Sequence, residues 1–388
     1  MLEKRQIKAL ISIYLFLSGA FIVLFSTQIW GSGISHDSMY YIGAARGLSS
    51  GQGLMTGLKF DHVKPMVHYP PFFSGVLSLI NFLGPDPMVG ARLLNAILFG
   101  SLIVLIGNMV YSYQRSLGAA VVGSLLVLSS RDLVEVHCMV WSEPLSNFLI
   151  FSGLYLLSRY LEDPKPSLLA AVVLIAGLEG ITKFAGIPLI VAGSIGLIFY
   201  SRSRKTLYSK VYDAFIFSLL ASLPLMLWLI RNYLETGRWV DRVIIYHQLT
   251  HQDLEIALRT LTQWSVFRHE YLILLFLAIL YIFQKAQPKT LPRLMVIFIL
   301  SYGVFLMISK LFIDRATPVD LRILSPVFIA FIVFLLCIVG DLKRSIRNIF
   351  YLLCWVIIIL SWGNTYKYVM YIHNNGMQLS SPFIVVKT

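Results

Sequence analysis

Asp37 and Glu143 are the two acids whose neighbours suit chemistry. Asp37 lies in "GISHDSMYYIGAARGLSSGQGL" (33–54), directly after an apolar run that ends at Trp30. An acid near a helix start caps free N–H groups and complements the helix dipole, which accounts for it structurally. The alternative is a general base held just above a bilayer, where partial desolvation keeps its pKa within reach of a hydroxyl it must activate. Glu143, in "WSEP", has the same two readings. Ser-Glu-Pro is an ordinary helix start, and a second carboxylate could also orient an acceptor or steady a cation.

The elements that must hold these residues are membrane helices. The chain has 388 residues, 57% hydrophobic and 13% charged, with a mean hydropathy of +0.75, far above that of soluble domains. Runs such as 9–30 and 321–340 reach the roughly 20 apolar residues a helix needs to span hydrocarbon. Continuous runs exclude the alternation of a barrel, so the fold class is an all-α polytopic membrane protein. About eleven transmembrane helices are expected, near 9–30, 89–112, 118–131, 143–160, 167–182, 184–200, 211–231, 269–284, 293–311, 321–340 and 348–366. The first run is longer than a signal-peptide core and has no small-residue cleavage site, so it is read as retained. Cys138, Cys337 and Cys354 are odd in number and unpatterned, which indicates neither a disulfide framework nor a metal cluster.

The N-terminal "MLEKRQIK" and the short connections "YQRSLG", "YSRSRKTLYSK" and "DLKRSIRN" carry Lys or Arg, which makes their side cytoplasmic. The long loops, chiefly 31–88 and 232–268, then face outward and hold Asp37. In the first of them Tyr40, Ala44 and Leu48 mark one face of a short helix begun at 35–37 and stopped by Gly51 and Gly53. The stretch "YPPFFSGVLSLINFLG" (69–84) reads as a second, interfacial helix opened by Pro70 and Pro71. Lys183, Arg231, Lys310 and Arg322 stand at outer span ends, against the usual bias. Snorkelling to lipid phosphates explains any one of them, and as a group they suit a bound phosphate. The net charge of +13 therefore points to membrane lipids and not to nucleic acid.

The first loop resembles the GT-C superfamily of membrane glycosyltransferases, in particular the protein O-mannosyltransferase and aminoarabinose transferase branch. The matching residues are Asp37, Tyr40 or Tyr41, Ala44 or Ala45, Leu48, Gly51, Gly53, "HYPPFF" and "NFLG". The likeness continues through Arg92, "WSEPLSNFLIFSGLYLLSRYL", "AGLEGITKFAGIPLI", "LWLIRNYLETG" and "LRILSPVFIAF". It departs at Tyr69, where some relatives have Lys before the two prolines; Lys64 is the nearest cation here. The resemblance implies a GT-C fold and an inverting transfer of a sugar from a polyprenyl-phosphate donor to an acceptor hydroxyl on the outer face. It assigns Asp37 as base, with Glu143 as a second acid. Lys183, Arg322, Arg231 and Lys64 would meet the donor phosphate, and His36, Tyr40, Tyr41, His68 and Tyr69 would line the substrate pocket.

Residues 1–232, including loop 31–88, would form the catalytic module, and 233–388 a variable C-terminal one. The expected partners are the polyprenyl-phosphate sugar, a glycan, lipid or protein acceptor, and membrane lipids, in an inner or plasma membrane with the N-terminus cytoplasmic. His36, His62 and His68 share the first loop with Asp37 and Asp61, and His247 and His251 are spaced as one helix would pair them. A divalent metal ion is the open cofactor alternative, although no compact ligand signature supports it. The competing functions are a transporter or flippase of a lipid-linked saccharide, and a polysaccharide polymerase or ligase. A transporter should show charged or broken helices at mid-membrane and often inverted repeats, and no repeat is evident.

Overall fold

The computed structural model describes residues 2–56, 64–201, 206–242, 244–248, 251, 255–256, 259–260, 289–314 and 319–377. The described residues hold thirteen α-helices and one two-stranded antiparallel ribbon. Helix α1 (Leu2–Ser26) leads into the first loop, with α2 (His36–Ser49), β1 (Met55–Thr56), β2 (Lys64–Pro65) and α3 (Phe72–Phe82). Then follow α4 (Pro87–Gln114), α5 (Leu117–Leu128), α6 (Arg131–Cys138), α7 (Glu143–Glu162), α8 (Pro166–Gly180), α9 (Ile187–Tyr200) and α10 (Leu207–Thr236). The last three are α11 (Thr290–Phe312), α12 (Ser325–Gly340) and α13 (Arg344–Asn375).

Helices α1, α4, α10, α11 and α13 are each long and apolar enough to cross a bilayer, and the chain is an integral membrane protein. The expected third span, 118–131, is instead the pair α5 and α6, bent by 59°. Ser130 causes the break: its hydroxyl accepts from Leu133 N–H as a new N-cap, so the helix restarts in another direction. The bent pair would make a sixth crossing, and α8, α9 and α12 are shorter apolar helices, so about eleven crossings are not counted among the described residues. The expected span at 269–284 lies outside them.

Most side chains of α7 are buried, including Ser146 and Asn147, so this helix runs inside the bundle. Its neighbours α4, α8, α9, α11 and α12 contribute Phe99, Val172, Leu189, Phe298 and Val333 to one apolar core. Helix α13 closes against the exit of α1, where the His373 ring stacks on Phe25 at 4.2 Å and Trp30 Nε1 donates to Asn374 O at 3.1 Å. Beyond α1 the chain pairs with the link between α6 and α7. Gly33 N–H donates to Cys138 O, and Val140 N–H to Gly33 O, both at 2.9 Å. That short bridge carries the start of α2 to the start of α7.

Candidate active site

Four chain segments meet at the end of the bundle opposite the N-terminus. The first is the start of α2. Ser38 Oγ accepts the Ser35 N–H at 3.0 Å, and Gly51 at φ 78° lets the chain turn away after the helix, so α2 begins and ends where its sequence sets it. The second is the start of α7, where Ser142 Oγ meets the Tyr41 hydroxyl at 3.0 Å. That bond pins α2 to α7 and sets Asp37 beside Glu143.

The third segment is the turn after α8, where Thr182 and Lys183 both donate backbone N–H to Glu179 O, at 2.9 and 3.0 Å. Gly186 folds back onto this turn; a Cβ there would come within 2.6 Å of Glu179 Cγ, so only glycine lets the chain pass. The fourth is the turn before α12. Asp320 Oδ1 accepts from Ile323 N–H at 3.0 Å, the Tyr302 hydroxyl donates to Ile323 O at 2.6 Å, and Ser325 Oγ donates to Arg322 O at 2.8 Å. Arg322 is thus presented by a fixed turn and not by a free span end.

These segments build one ion-pair group. Arg322 Nη2 donates to Asp37 Oδ2 at 2.5 Å, and its Nε donates to Glu143 Oε1. Lys183 Nζ reaches the same Glu143 oxygen at 2.7 Å. The guanidinium also lies over the Trp141 ring, 4.1 Å from its centroid, and Trp141 Nε1 donates to Ser35 Oγ at 2.7 Å. The Tyr69 hydroxyl donates to the other Asp37 oxygen at 2.7 Å. Two carboxylates and two cations give a neutral set, which is how such charges tolerate burial. Glu143 is only 3% exposed, and its Oε2 has no protein partner. A helix-start role alone does not account for a carboxylate that gathers two cations.

Burial pushes the Asp37 carboxyl up, but the Arg322 charge and the Tyr69 hydrogen bond outweigh it, and the group is held below its ordinary range. Desolvation alone is expected from the sequence to keep it basic; the guanidinium supplied from the turn before α12 reverses that. Burial and the Asp37 charge raise the Tyr69 phenol, so it remains a donor. Burial lowers the His68 pKa, with Arg242 acting in the same direction.

His36, Tyr40, His68 and Tyr69 form an aromatic group beside Asp37. The Tyr40 and His68 rings stack at 5.6 Å, His68 and Tyr69 meet edge to face at 4.5 Å, and His36 meets Tyr40 edge to face at 5.2 Å. Tyr41 is a correction: it points inward, is 1% exposed, and packs edge to face on Phe73. It braces the site and does not line it. Arg231 donates to Met66 O at 3.1 Å and to Asn232 Oδ1 at 3.2 Å, holding the chain after β2. Lys64 lies exposed on β2, opposite Thr56. Neither belongs to the ion-pair group.

The expected helical pairing of His247 with His251 also fails. His247 is extended, with its N–H on Leu311 O at 2.7 Å, because this segment runs alongside the end of α11. Among the described residues no three His, Cys, Asp or Glu side chains are grouped to hold a metal ion. The Asp37 and Glu143 carboxylates, the nearest candidates, are bridged by the Arg322 guanidinium. Asp61 and His62 lie outside the described residues.

Sequence reasoning missed Trp141, although it stands in the quoted "WSEP". It also missed Glu179, a wholly buried acid whose Oε1 accepts from Ser146 at 2.6 Å. An acid inside the apolar "AGLEG" was the available signal.

No family model and no curated protein matches the sequence. Solved structures do. ArnT from Cupriavidus metallidurans, bound to undecaprenyl phosphate, superposes with a TM-score of 0.59 at 15% identity, covering 92% of this chain and 62% of that one. The oligosaccharyltransferase AglB from Archaeoglobus fulgidus, in complex with an inhibitory peptide and a dolichol-phosphate, gives 0.52 at 12%, covering 93% and 56%. The chain has the GT-C fold. It spans about three fifths of the length of these two glycosyltransferases. Within the GT-C fold the ion-pair group sits at the end of the bundle where α1 emerges into the first loop.

Proposed function

We propose that the protein is an inverting glycosyltransferase that moves a sugar from a polyprenyl-phosphate donor to an acceptor hydroxyl on the outer face of the membrane. The observation that carries this reading is the convergence of Arg322 and Lys183 on Glu143 beside Asp37, at the end of the bundle this reading puts at the membrane boundary, in a fold shared with a protein solved with undecaprenyl phosphate. A lipid-linked donor keeps its phosphate at that boundary, which aligns it with the two cations without a search in solution.

In the reaction the acceptor hydroxyl passes its proton to Asp37 as its oxygen attacks the anomeric carbon. The bond from that carbon to the phosphate oxygen breaks, and the polyprenyl phosphate leaves with the electron pair. Negative charge grows on the leaving phosphate, and Arg322 and Lys183 are placed to stabilise it. Glu143 acts as the anchor that holds both cations in register. The aromatic group of His36, Tyr40, His68 and Tyr69 offers ring faces and hydrogen-bonding edges to the sugar. Basic residues in the connections at the N-terminal end, such as Lys343 and Arg344 after α12, support an outward-facing site.

The test is transfer in proteoliposomes supplied with a polyprenyl-phosphate sugar, together with mass spectrometry of lipid co-purifying with the protein. Asp37→Asn should insert and fold as the parent does and lose about 10²–10⁴-fold in rate, the range for a positioned general base. Full activity of that variant removes the base assignment. Recovery of a pyrophosphate-linked oligosaccharide in place of a monophosphate-linked sugar favours a polymerase or ligase.

A further inference from the structure

In the structure, Asp37 is held in a form that cannot serve well as a base. Tyr69 occupies one of its oxygens at 2.7 Å and Arg322 the other at 2.5 Å. A base must present a lone pair to the proton it takes, and a guanidinium bonded to that oxygen engages one of its two lone pairs and, by its charge, disfavours protonation of the carboxylate. Arg322, however, is not committed to Asp37 alone. Its Nε is bonded to the buried Glu143, its plane rests on Trp141, and only Nη2 reaches Asp37. Nε and one face are anchored, while the terminal edge formed by Nη1 and Nη2 is the part that can exchange partners.

A phosphate is the partner best suited to take that edge. Guanidinium binds phosphate oxygens in a planar, often bidentate geometry, and Lys183 on the same Glu143 oxygen brings a second charge to the same place. We propose that Asp37 is released to act as base only when the donor phosphate draws the free edge of Arg322 away from it, so that the donor must bind before the acceptor hydroxyl can be activated. This rests on the polyprenyl-phosphate reading given above.

Burial is already the largest single influence on Asp37, and once Arg322 turns to the phosphate the strongest opposing one is gone, which makes Asp37 more basic. The charged and titratable groups around it are Arg322 from the turn before α12, Lys183 from the turn after α8, Glu143 from α7, and His36, Tyr40, Tyr41, His68 and Tyr69 from the first loop. Of these cations, Arg322 alone bonds Asp37 among the described contacts, so its departure is what changes. Two carboxylates and two cations facing a donor already joined to its leaving group would otherwise offer a base to any hydroxyl that entered first.

The experiment is calorimetric titration of undecaprenyl phosphate into the full chain in nanodiscs, for the parent, Asp37→Asn, Arg322→Gln and the double variant. Asp37→Asn should bind about tenfold more tightly, because Arg322 no longer has to leave a carboxylate, and this gain should vanish in the Arg322→Gln background, as for two residues of one network. Titration at pH 5 in two buffers of different ionisation enthalpy should show the parent taking up more protons on binding than Asp37→Asn, the difference cancelling protons exchanged by the phosphate itself. An equal gain in both backgrounds means simple removal of a negative charge, and overturns the gate while the donor reading stands. Equal proton uptake by parent and Asp37→Asn overturns it as well, and this measurement decides alone if Arg322→Gln does not fold. Absence of binding by every form overturns the donor reading, and the gate with it.

Discussion

Helix α2 carries an ion pair at each end, and the two teach different lessons. At its start Asp37 meets Arg322 at 2.5 Å, with side chains 23% and 16% exposed; near its end Arg46 meets Asp86 at 2.8 Å, with 55% and 45% exposed. The second pair is an external clip. Asp86 caps α4 by accepting from Met88 N–H at 3.0 Å, and Arg46 ties α2 to that cap. Water screens it, and such pairs contribute about 0–1 kcal/mol. The first pair is shut between helices with Glu143, Lys183 and Trp141 around it, so removing either charge strands the other where water cannot compensate. The same two residue types make an exposed fastening in one place and a buried four-charge group in the other, and burial is what separates them.

Substitutions at the buried end should break that contrast hardest. Glu143→Gln removes the oxygen charge that joins Lys183 to Arg322, and breaking a buried pair of this kind costs about 3–5 kcal/mol. A thermal melt in detergent and a donor-binding titration should both register the loss; an unchanged melt would mean the cations find another anchor. Next comes Arg322→Ala, which should weaken binding of a polyprenyl phosphate far more than Arg238→Ala, since Arg238 is exposed and pairs only at 3.7 Å with Asp241. Equal effects would indicate that Arg322 serves the lipid surface and not the site.

Acid should separate the two ends more gently. The Asp37 carboxyl is held below its ordinary value in the folded chain. Its contribution is therefore complete above the unfolded value of about 3.9 and lost only as pH falls through the lower folded one. Melts taken from pH 6 down to pH 3 should show the parent losing its advantage over Asp37→Asn only at the acid end of that series. The smallest effect is expected at the exposed clip, where Arg46→Ala should shift stability by less than about 1 kcal/mol, and less still in high salt. A larger loss there would show that α2 depends on its far end to place Asp37.

The ion-pair group also shows what kind of information a sequence holds. Asp37 was legible because a cap, an acid and a glycine stop sit within one short stretch, and local signals of that sort act over one helical turn. Arg322 and Lys183 were legible as cations on the wrong side of the charge bias. Their bonding was not: Asp37 and Arg322 lie 285 residues apart, and only packing around α7 brings them together. The expected boundary after residue 232 runs between them, with Asp37, Glu143 and Lys183 on one side and Arg322 on the other.

Neighbouring tyrosines make the same point at finer grain. Tyr40 faces the aromatic group and Tyr41 the core, because successive positions on a helix point about 100° apart and α7 lies on one side only. The Ser130 break in the third apolar run was readable as a cap signal but was masked by continuous hydrophobicity. The extended course of His247 depends on the end of α11 and leaves no local trace.

The long separation between Asp37 and its guanidinium partner has a consequence for how the protein is made. Translation at about 5–20 residues per second leaves roughly 15–60 s between the emergence of the two. Throughout that interval the Asp37 carboxylate lacks the guanidinium it bonds, and Lys183 is the first cation of the group to be made. Chains truncated before α12 would keep the first loop but not the partner that neutralises it. Assembly of the ion-pair group is therefore a late event of biogenesis, and a half-made copy holds only part of it.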